Sequence, residues 1–211
     1  MLLRLWWAFL RLFFRLLYNE MAWTYDLVAG VVSLGQWQAW GRTAIDHLRG
    51  ERVLELAHGP GHMLAALAER GLSPVGLDLS PYMGRLARRR LRRRGQSVPL
   101  VRARAQALPF RAGCFDSSVA TFPTEFILSP ATLRETARVI RPGGRLVIVA
   151  WAGLGEHNPL VRFIGWLYRV TGQGEPQPGA GEQLVLDAGF TPRVVRERVG
   201  RSQVMLLVAQ K

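Results

Sequence analysis

Cysteine is almost missing from this sequence, and so is any grouping of residues that could hold a metal. The one cysteine, Cys114, excludes an internal disulfide and agrees with a reducing compartment. Together with the four histidines it lacks the spacing of a zinc site, so no metal centre is expected. No internal repeat is present either, and 211 residues suffice for one domain with a sizeable core.

Lysine is equally scarce, because Lys211 is the one lysine among 28 basic residues and all the others are arginine. Acidic residues number 15, which leaves a formal net charge of +13. A balance this basic favours an anionic partner such as a membrane surface, a nucleic acid or an acidic substrate. The net charge carries no information about the fold.

The glycine-rich stretch near one quarter of the chain lacks the lysine of a phosphate-binding P-loop. It follows a short apolar strand pattern at residues 52–57 and opens a helical pattern at residues 61–70. Gly59 and Gly61 let the backbone approach a ligand, and the first helical turn offers free N–H donors. Glu55, just before the loop, suits a ligand with a positively charged end rather than a phosphate.

A second acid, Asp78, ends the next predicted strand at residues 74–78. It stands where folds of this type bind ribose hydroxyls. A positively charged amino-acid portion and a ribose within one ligand indicate S-adenosylmethionine rather than a dinucleotide.

Three further blocks follow in a fixed order. Residues 105–116 read A-Q-A-L-P-F-R-A-G-C-F-D, residues 133–146 end in R-V-I-R-P-G-G-R-L, and residues 188–190 read A-G-F. Together with the glycine loop and Asp78, these blocks resemble the motifs of class I S-adenosylmethionine-dependent methyltransferases. The resemblance covers roughly residues 22–211.

The resemblance implies an α/β fold, Rossmann-like and doubly wound, with a mostly parallel seven-stranded sheet, helices on both faces and an N-terminal helical extension. The alternation of strand and helix patterns from residue 51 onward agrees with it. Strands are expected near residues 52–57, 74–78, 98–102, 116–121, 145–151, 192–199 and 203–210. Helices are expected near residues 61–70, 81–94, 130–140, 159–170 and 180–188. The tight link at residues 200–201 predicts that the last two strands form a hairpin.

The chain then divides into an amphipathic N-terminal helix at residues 1–20, a helical cap at 21–50 and the S-adenosylmethionine-binding domain at 51–211. Residues 1–18 are apolar or aromatic apart from three arginines, which a helix places along one stripe. This pattern predicts a membrane-interface anchor, and hence a cytoplasmic protein that is peripheral on the inner face of the membrane. Packing on the domain or a partner chain, a membrane span and a signal peptide are the alternatives.

The predicted cap contains Y-D-L at residues 25–27 and S-L-G-Q-W at residues 33–37. These segments are similar to the N-terminal part of quinone-biosynthesis C-methyltransferases, and in the wider family this region covers the ligand site. Trp23, Trp37 and Trp40 either pack the cap on the sheet or wall an apolar substrate pocket.

The resemblance makes S-adenosyl-L-methionine the expected cofactor. Glu55 should face its ammonium group, and Asp78 should accept both ribose hydroxyls. The other expected contacts are the backbone of Ala57, His58, Gly59 and Gly61 along the methionine portion, Leu79 on the adenine, and Ala105 and Gln106 at the adenine edge. Arg104 stands where the family often has aspartate, and Ala57 replaces the usual first glycine. His58 either fills space beside the loop or acts as a base.

The loop at residues 121–126 faces the methyl group and the acceptor in this family. It has neither the Asn/Asp-Pro-Pro-Tyr/Phe motif of amino-methylating nucleic-acid enzymes nor a Pro-Cys nucleophile. Glu125 is the first candidate to orient the acceptor or accept a proton, with helix capping as the alternative. His157 is the second candidate, with an ordinary surface-loop histidine as the alternative.

The helix predicted at residues 81–94 carries seven arginines. They form either a solvated cationic face or a surface for an anionic partner. The leading prediction is a methyltransferase for a small or lipid-like acceptor at an anionic membrane surface. A nucleic-acid methyltransferase that uses the arginine helix is a less favoured alternative, and a non-enzymatic membrane-associated binding module is another. The acceptor atom and the oligomeric state are left open.

Overall fold

The computed structural model describes residues 24–154, 179 and 181–211. The predicted N-terminal anchor, Trp23, His157 and the helix expected near residues 159–170 lie outside the described residues.

Seven strands form the centre of the fold. They are β1 (Arg52–Leu56), β2 (Ser73–Asp78), β3 (Leu100–Arg102), β4 (Phe115–Thr121), β5 (Ile140–Leu154), β6 (Thr191–Val199) and β7 (Ser202–Gln210). They make one sheet in the order β3-β2-β1-β4-β5-β7-β6, in which β7 runs antiparallel to both its neighbours and the other pairs are parallel. The predicted fold class is confirmed, and so is the final hairpin, because Val199 pairs with Ser202.

The α-helices are α1 (Tyr25–Ser33), α2 (Trp37–Arg42), α3 (His62–Glu69), α4 (Pro81–Arg93), α5 (Pro130–Val139) and α6 (Glu182–Asp187). Single 3-10 turns span Thr43–His47 and Glu125–Leu128. α4 and α5 begin in the same way: a serine side chain, Ser80 or Ser129, accepts a backbone N–H of the first turn, and a proline follows. This combination fixes where each helix starts.

Two strands differ from the sequence-based expectation. β5 begins at Ile140, directly after α5, because Ile140 already pairs with Phe115; a bulge follows, in which Gly143 has a φ of 75°. β3 shrinks to three residues at the edge of the sheet. It starts after Pro99, which accepts from the Gly76 N–H but has no N–H to donate.

Both faces of the sheet are covered by apolar side chains. On one face, Ile148 and Leu207 of the strands pack with Leu133 of α5 and Val185 of α6. On the other face, the strands pack with α3, the Thr43–His47 turn and Trp40 of α2. Within the residues described, every helix is too short or too polar to cross a bilayer. The same part of the chain contains no cluster of three or more potential metal ligands.

Candidate functional site

The strand order reverses between β1 and β4, because β2 and β3 lie on one side of β1 and the later strands on the other. The connections after β1 and β4 therefore leave in opposite directions, which creates a crevice at the carboxyl ends of these strands. Open α/β sheets bind their ligands at such a point. The register pairs Glu55 of β1 with Gly76 of β2. Because side chains alternate along a strand, Asp78 lies on the same face as Glu55, two residues nearer the crevice. Glu55 and Asp78 therefore lie close together at the carboxyl ends of their strands.

The glycine loop joins β1 to α3 and is held in a left-handed conformation. Ala57, Gly59 and Gly61 have φ values of 54°, 51° and 80°. A Cβ atom on Gly61 would lie 2.8 Å from the Cβ of Ala87, so only glycine lets α3 approach α4 this closely. A Cβ on Gly59 would meet nothing within 4 Å, which leaves the backbone there open to a ligand.

Asp78 fastens this loop from the side. One carboxylate oxygen accepts the Gly59 N–H at 2.9 Å, and the other accepts the Ser80 N–H at 2.8 Å. Each carboxylate oxygen has a second lone pair, so both remain able to accept a ligand hydroxyl. The side chain is only half-buried, which keeps it within reach of the crevice.

Glu55 is the most unusual group of the site. Its side chain is 1% exposed, and its Oε2 atom has no hydrogen-bond partner. Burial raises the pKa of this carboxyl well above its usual value, and the negative charge of Asp78 raises it further; the Leu64 N–H in the first turn of α3 acts in the opposite direction. A buried acid without a partner is costly unless a positive donor pairs with it. The ammonium group of S-adenosylmethionine is such a donor, so this residue fits the cofactor.

His58 lies beneath the loop rather than in the crevice. The ring is 4% exposed, and its Nδ1 is 2.7 Å from the Gly59 carbonyl oxygen. Its Cδ2 atom would lie 2.9 Å from a Cβ on Gly76, so the ring fills the space that this glycine leaves on β2. Burial lowers the pKa of the imidazole, which favours the neutral form. This geometry favours the space-filling interpretation over a catalytic base.

The residues predicted for the adenine lie at the ends of β2 and β3. Leu79 is 54% exposed, Ala105 is buried, and Gln106 is exposed. Arg102 fixes this corner by donating from its Nε to the Leu79 carbonyl at 3.1 Å. An exposed leucine beside an open loop is an available surface for an aromatic ring.

The acceptor side of the crevice starts at the end of β4. Phe122 has a φ of 48° and donates its N–H to the Val149 carbonyl at 2.9 Å. Its ring centroid is 4.3 Å from that of Trp37 and 6.4 Å from that of Trp40. Trp40 is 1% exposed and belongs to the core, whereas Trp37 is half-buried. α2 is thus tied to the loop that follows β4.

A cavity of 650 Å³ opens next to this loop. Glu125, exposed at the start of its 3-10 turn, lies on the cavity wall beside Ile127 and Leu128. The opposite wall is formed by apolar residues of β5 and β7, with Glu182 and Arg196 adding charge. None of the predicted cofactor residues lines it, so the cavity belongs to the acceptor side, next to the loop that follows β4.

A polar cluster that the sequence patterns did not predict joins α1 to the glycine loop. We call this cluster the Asp26 latch. Asp26 accepts from His62 Nε2, the two atoms being 2.8 Å apart, and also from Arg90 of α4. Arg90 donates in addition to the Pro60 carbonyl of the loop. The hydrogen bond from His62 is the main reason why the pKa of Asp26 is lowered. The nearest sequence signal was the family-like Y-D-L segment, which marks Asp26 without naming its partners.

Comparison with known proteins agrees with this geometry. A family model described as a methyltransferase domain matches residues 54–148. The demethylmenaquinone methyltransferase of Thermus thermophilus is 38% identical over 160 residues, which are 73% of this chain and 70% of that protein. The corresponding enzyme of Beutenbergia cavernae is 39% identical over 141 residues, or 64% of this chain and 57% of that protein.

Solved structures share the fold at low identity. The geranyl diphosphate C-methyltransferase of Streptomyces coelicolor A3(2) superposes with a TM-score of 0.62 at 17% identity, covering 82% of this chain and 78% of that one. A Haemonchus contortus phosphoethanolamine N-methyltransferase bound to S-adenosyl-L-methionine also gives 0.62 at 17% identity, covering 84% of this chain and 53% of that one.

Fold and relatives together define an α/β methyltransferase. The chain belongs to the class I S-adenosylmethionine-dependent methyltransferases, and S-adenosyl-L-methionine is its cofactor.

Proposed function

We propose that this enzyme methylates a small, lipophilic, quinone-type acceptor while it lies on the anionic cytoplasmic surface of a membrane. The relationship to enzymes named demethylmenaquinone methyltransferases carries the proposal for the acceptor. The mostly apolar cavity beside the Glu125 loop supports it, because an apolar ring or chain is best held by such walls.

The cofactor supplies an activated methyl group, and the protein supplies position and charge. In our proposal Glu55 pairs with the ammonium group, and Asp78 accepts from the ribose hydroxyls. The methionine portion runs along the backbone of Ala57, His58, Gly59 and Gly61. Leu79 packs on the adenine, whose edge meets Ala105 and Gln106. The unpartnered oxygen of Glu55 is the observation that carries this arrangement.

An acceptor that gains a methyl group must lose a proton. Glu125 is the carboxylate beside the acceptor loop in the described part of the chain, and we assign it the orienting or proton-accepting role. His157, which follows β5 in the sequence, is the second candidate for the same role. In our proposal the sheet and the loop hold the acceptor in line with the methyl group, and such positioning lowers the barrier of the transfer.

The membrane part of the proposal rests on charge. α4 exposes five arginines on one side: Arg85, Arg88, Arg89, Arg92 and Arg93. The sequence of residues 1–20 adds an amphipathic segment with its own arginine stripe. Basic surfaces next to an apolar anchor bind anionic lipid headgroups.

The direct test supplies the purified full chain with S-adenosylmethionine and demethylmenaquinone in phosphatidylglycerol vesicles. We expect a product heavier by one methylene group, detected by mass spectrometry. At limiting S-adenosylmethionine, Glu55→Gln should lower product formation about tenfold or more, while Glu51→Gln, a change at an exposed acid next to β1, should leave it unchanged. Parallel reactions contain RNA or DNA instead. Methylation of a nucleic acid but not of the quinone would contradict the proposed acceptor, and failure to bind S-adenosylmethionine would contradict the site.

A further inference from the structure

A pocket lined by basic residues lies at the end of the sheet opposite the cofactor crevice. It has a volume of 400 Å³ and is lined by Arg145, Thr191, Pro192, Arg193, Val208, Gln210 and Lys211, and we call it the basic pocket. It sits where β5 starts to pair with β4, at Arg145 and Ser117. The cofactor crevice lies at the carboxyl ends of these strands, so the two sites are at opposite ends of the sheet.

The strand register brings the polar residues of the pocket onto one face. Gln210 of β7 pairs with Arg145 of β5 on one side and with Thr191 of β6 on the other. Arg193 lies two residues after Thr191 and therefore on the same face. The Thr43–His47 turn approaches this face, where the His47 carbonyl accepts from Arg145 at 3.0 Å.

The guanidinium groups of Arg145 and Arg193 line the pocket, a third arginine, Arg49, is near enough for its charge to act on Arg145, and no Asp or Glu side chain lines the pocket. Burial lowers the pKa of Arg145, and the positive charges of Arg49 and Arg193 lower it further, while no acid contributes. The nearby acid of β6, Glu197, is held by His47 at 2.6 Å. In the described residues none of the three arginines forms an ion pair.

The remaining lining residues complete the chemistry of the pocket. The ammonium group of Lys211 donates to the carbonyls of Ala137 and Ile140, so we do not count it among the available cations. The Thr191 hydroxyl and the Gln210 amide are neutral donors at the same wall. Arginine presents a planar set of N–H groups that matches the oxygens of a phosphate.

We propose that the basic pocket binds a phosphate-type oxyanion through Arg145 and Arg193, with the positive charge of Arg49 nearby. Neighbouring guanidinium groups repel one another, and a negatively charged oxyanion bound between them is attracted to each. A free phosphorylated metabolite and a lipid headgroup share this chemistry. The inference does not depend on the methyl acceptor, because the pocket is remote from the crevice.

The test is a calorimetric titration of the full chain with inorganic pyrophosphate at low ionic strength. We expect one site per chain, weakened about tenfold by Arg193→Gln through loss of a charge-assisted hydrogen bond, and less by Arg49→Gln, which removes only a nearby charge. Arg198→Gln is the matched control, because Arg198 is an exposed arginine of the same strand that faces the other way. S-adenosylmethionine affinity should be the same in all three variants.

A second arm identifies the source of the phosphate. Sedimentation with phosphatidylglycerol vesicles should weaken in Arg193→Gln relative to Arg198→Gln if the ligand is a headgroup, and should be equal if the ligand is free in solution. Equal pyrophosphate affinity of Arg193→Gln and Arg198→Gln, or no pyrophosphate binding by the wild type, would overturn the proposal.

Discussion

At the scale of single residues, Glu55 places a buried carboxyl group, unfavourable in the free protein, where the cofactor's ammonium group can pair with it. Its carboxyl is buried without a partner for one oxygen, and burial raises its pKa well above 4.5. The folded protein therefore retains a proton that the unfolded chain releases. Stability contributed by this proton is complete below the unfolded pKa and is lost as the pH rises through the folded pKa.

Replacing Glu55 by Gln should separate stability from binding. The variant keeps the shape but cannot ionise, so the cofactor-free protein should lose less stability than the wild type as the pH rises above the ordinary glutamate pKa of 4.5. Its affinity for S-adenosylmethionine should fall about tenfold or more, because a charged hydrogen bond is lost. Thermal unfolding as a function of pH and calorimetry measure the two effects.

The same reasoning predicts proton release when the wild type binds its cofactor. An ammonium group favours the ionised carboxylate, so affinity should rise with pH until Glu55 is ionised in the free protein. The observed binding enthalpy should then vary with the ionisation enthalpy of the buffer, and in Glu55→Gln it should not. An affinity that is independent of pH in the wild type would argue against the pairing.

At the scale of elements, the Asp26 latch connects α1 to the two elements that shape the glycine loop. Asp26→Asn should lower S-adenosylmethionine affinity roughly two- to fivefold, as expected for a partly exposed ion pair. Arg90→Gln should do the same, because it also frees the Pro60 carbonyl. Arg89→Gln removes the same charge from the exposed side of α4 and serves as the control.

Calorimetry with S-adenosylmethionine and a melting curve for each variant test the latch. A drop in melting temperature that is equal for Arg89→Gln and Arg90→Gln, with unchanged cofactor affinity, would show that the latch has no influence on the loop.

What could be read from the sequence follows the range of the interactions involved. Strand patterns and the glycine loop depend on neighbours within a few residues, and the structure agrees with them. The Asp26 latch joins residues 36 and 64 positions apart, and no local pattern encodes such a contact. The same holds for Glu135 of α5, whose carboxylate accepts the Leu108 N–H at 2.7 Å. This hydrogen bond links the family-like block at residues 105–116 to the block at residues 133–146.

At the scale of the whole molecule, charge is distributed very unevenly. The net charge is +13, and exposed arginines concentrate on α4. Arg85 of this helix stacks on Tyr82, with its guanidinium carbon 4.4 Å from the ring centre, while Arg88, Arg89, Arg92 and Arg93 have no ion pair in the described part of the chain. An extended cationic face of this kind attracts anionic surfaces over a distance set by the salt concentration.

Changing Arg88, Arg89, Arg92 and Arg93 to Gln should therefore weaken binding to phosphatidylglycerol vesicles about tenfold or more, since each basic residue near such a surface contributes on the order of 1 kcal/mol. Removing residues 1–20 should weaken vesicle binding further. The weak binding that remains should disappear at high salt. The four-residue variant should keep its S-adenosylmethionine affinity, because these four arginines are exposed residues of α4 outside the proposed cofactor contacts. Co-sedimentation at low and high salt, with phosphatidylcholine vesicles and a short RNA duplex as comparisons, measures these effects. If the four-residue variant lost RNA binding but sedimented with anionic vesicles like the wild type, the arginine face would serve a nucleic acid, and the membrane proposal would rest on the N-terminal segment alone.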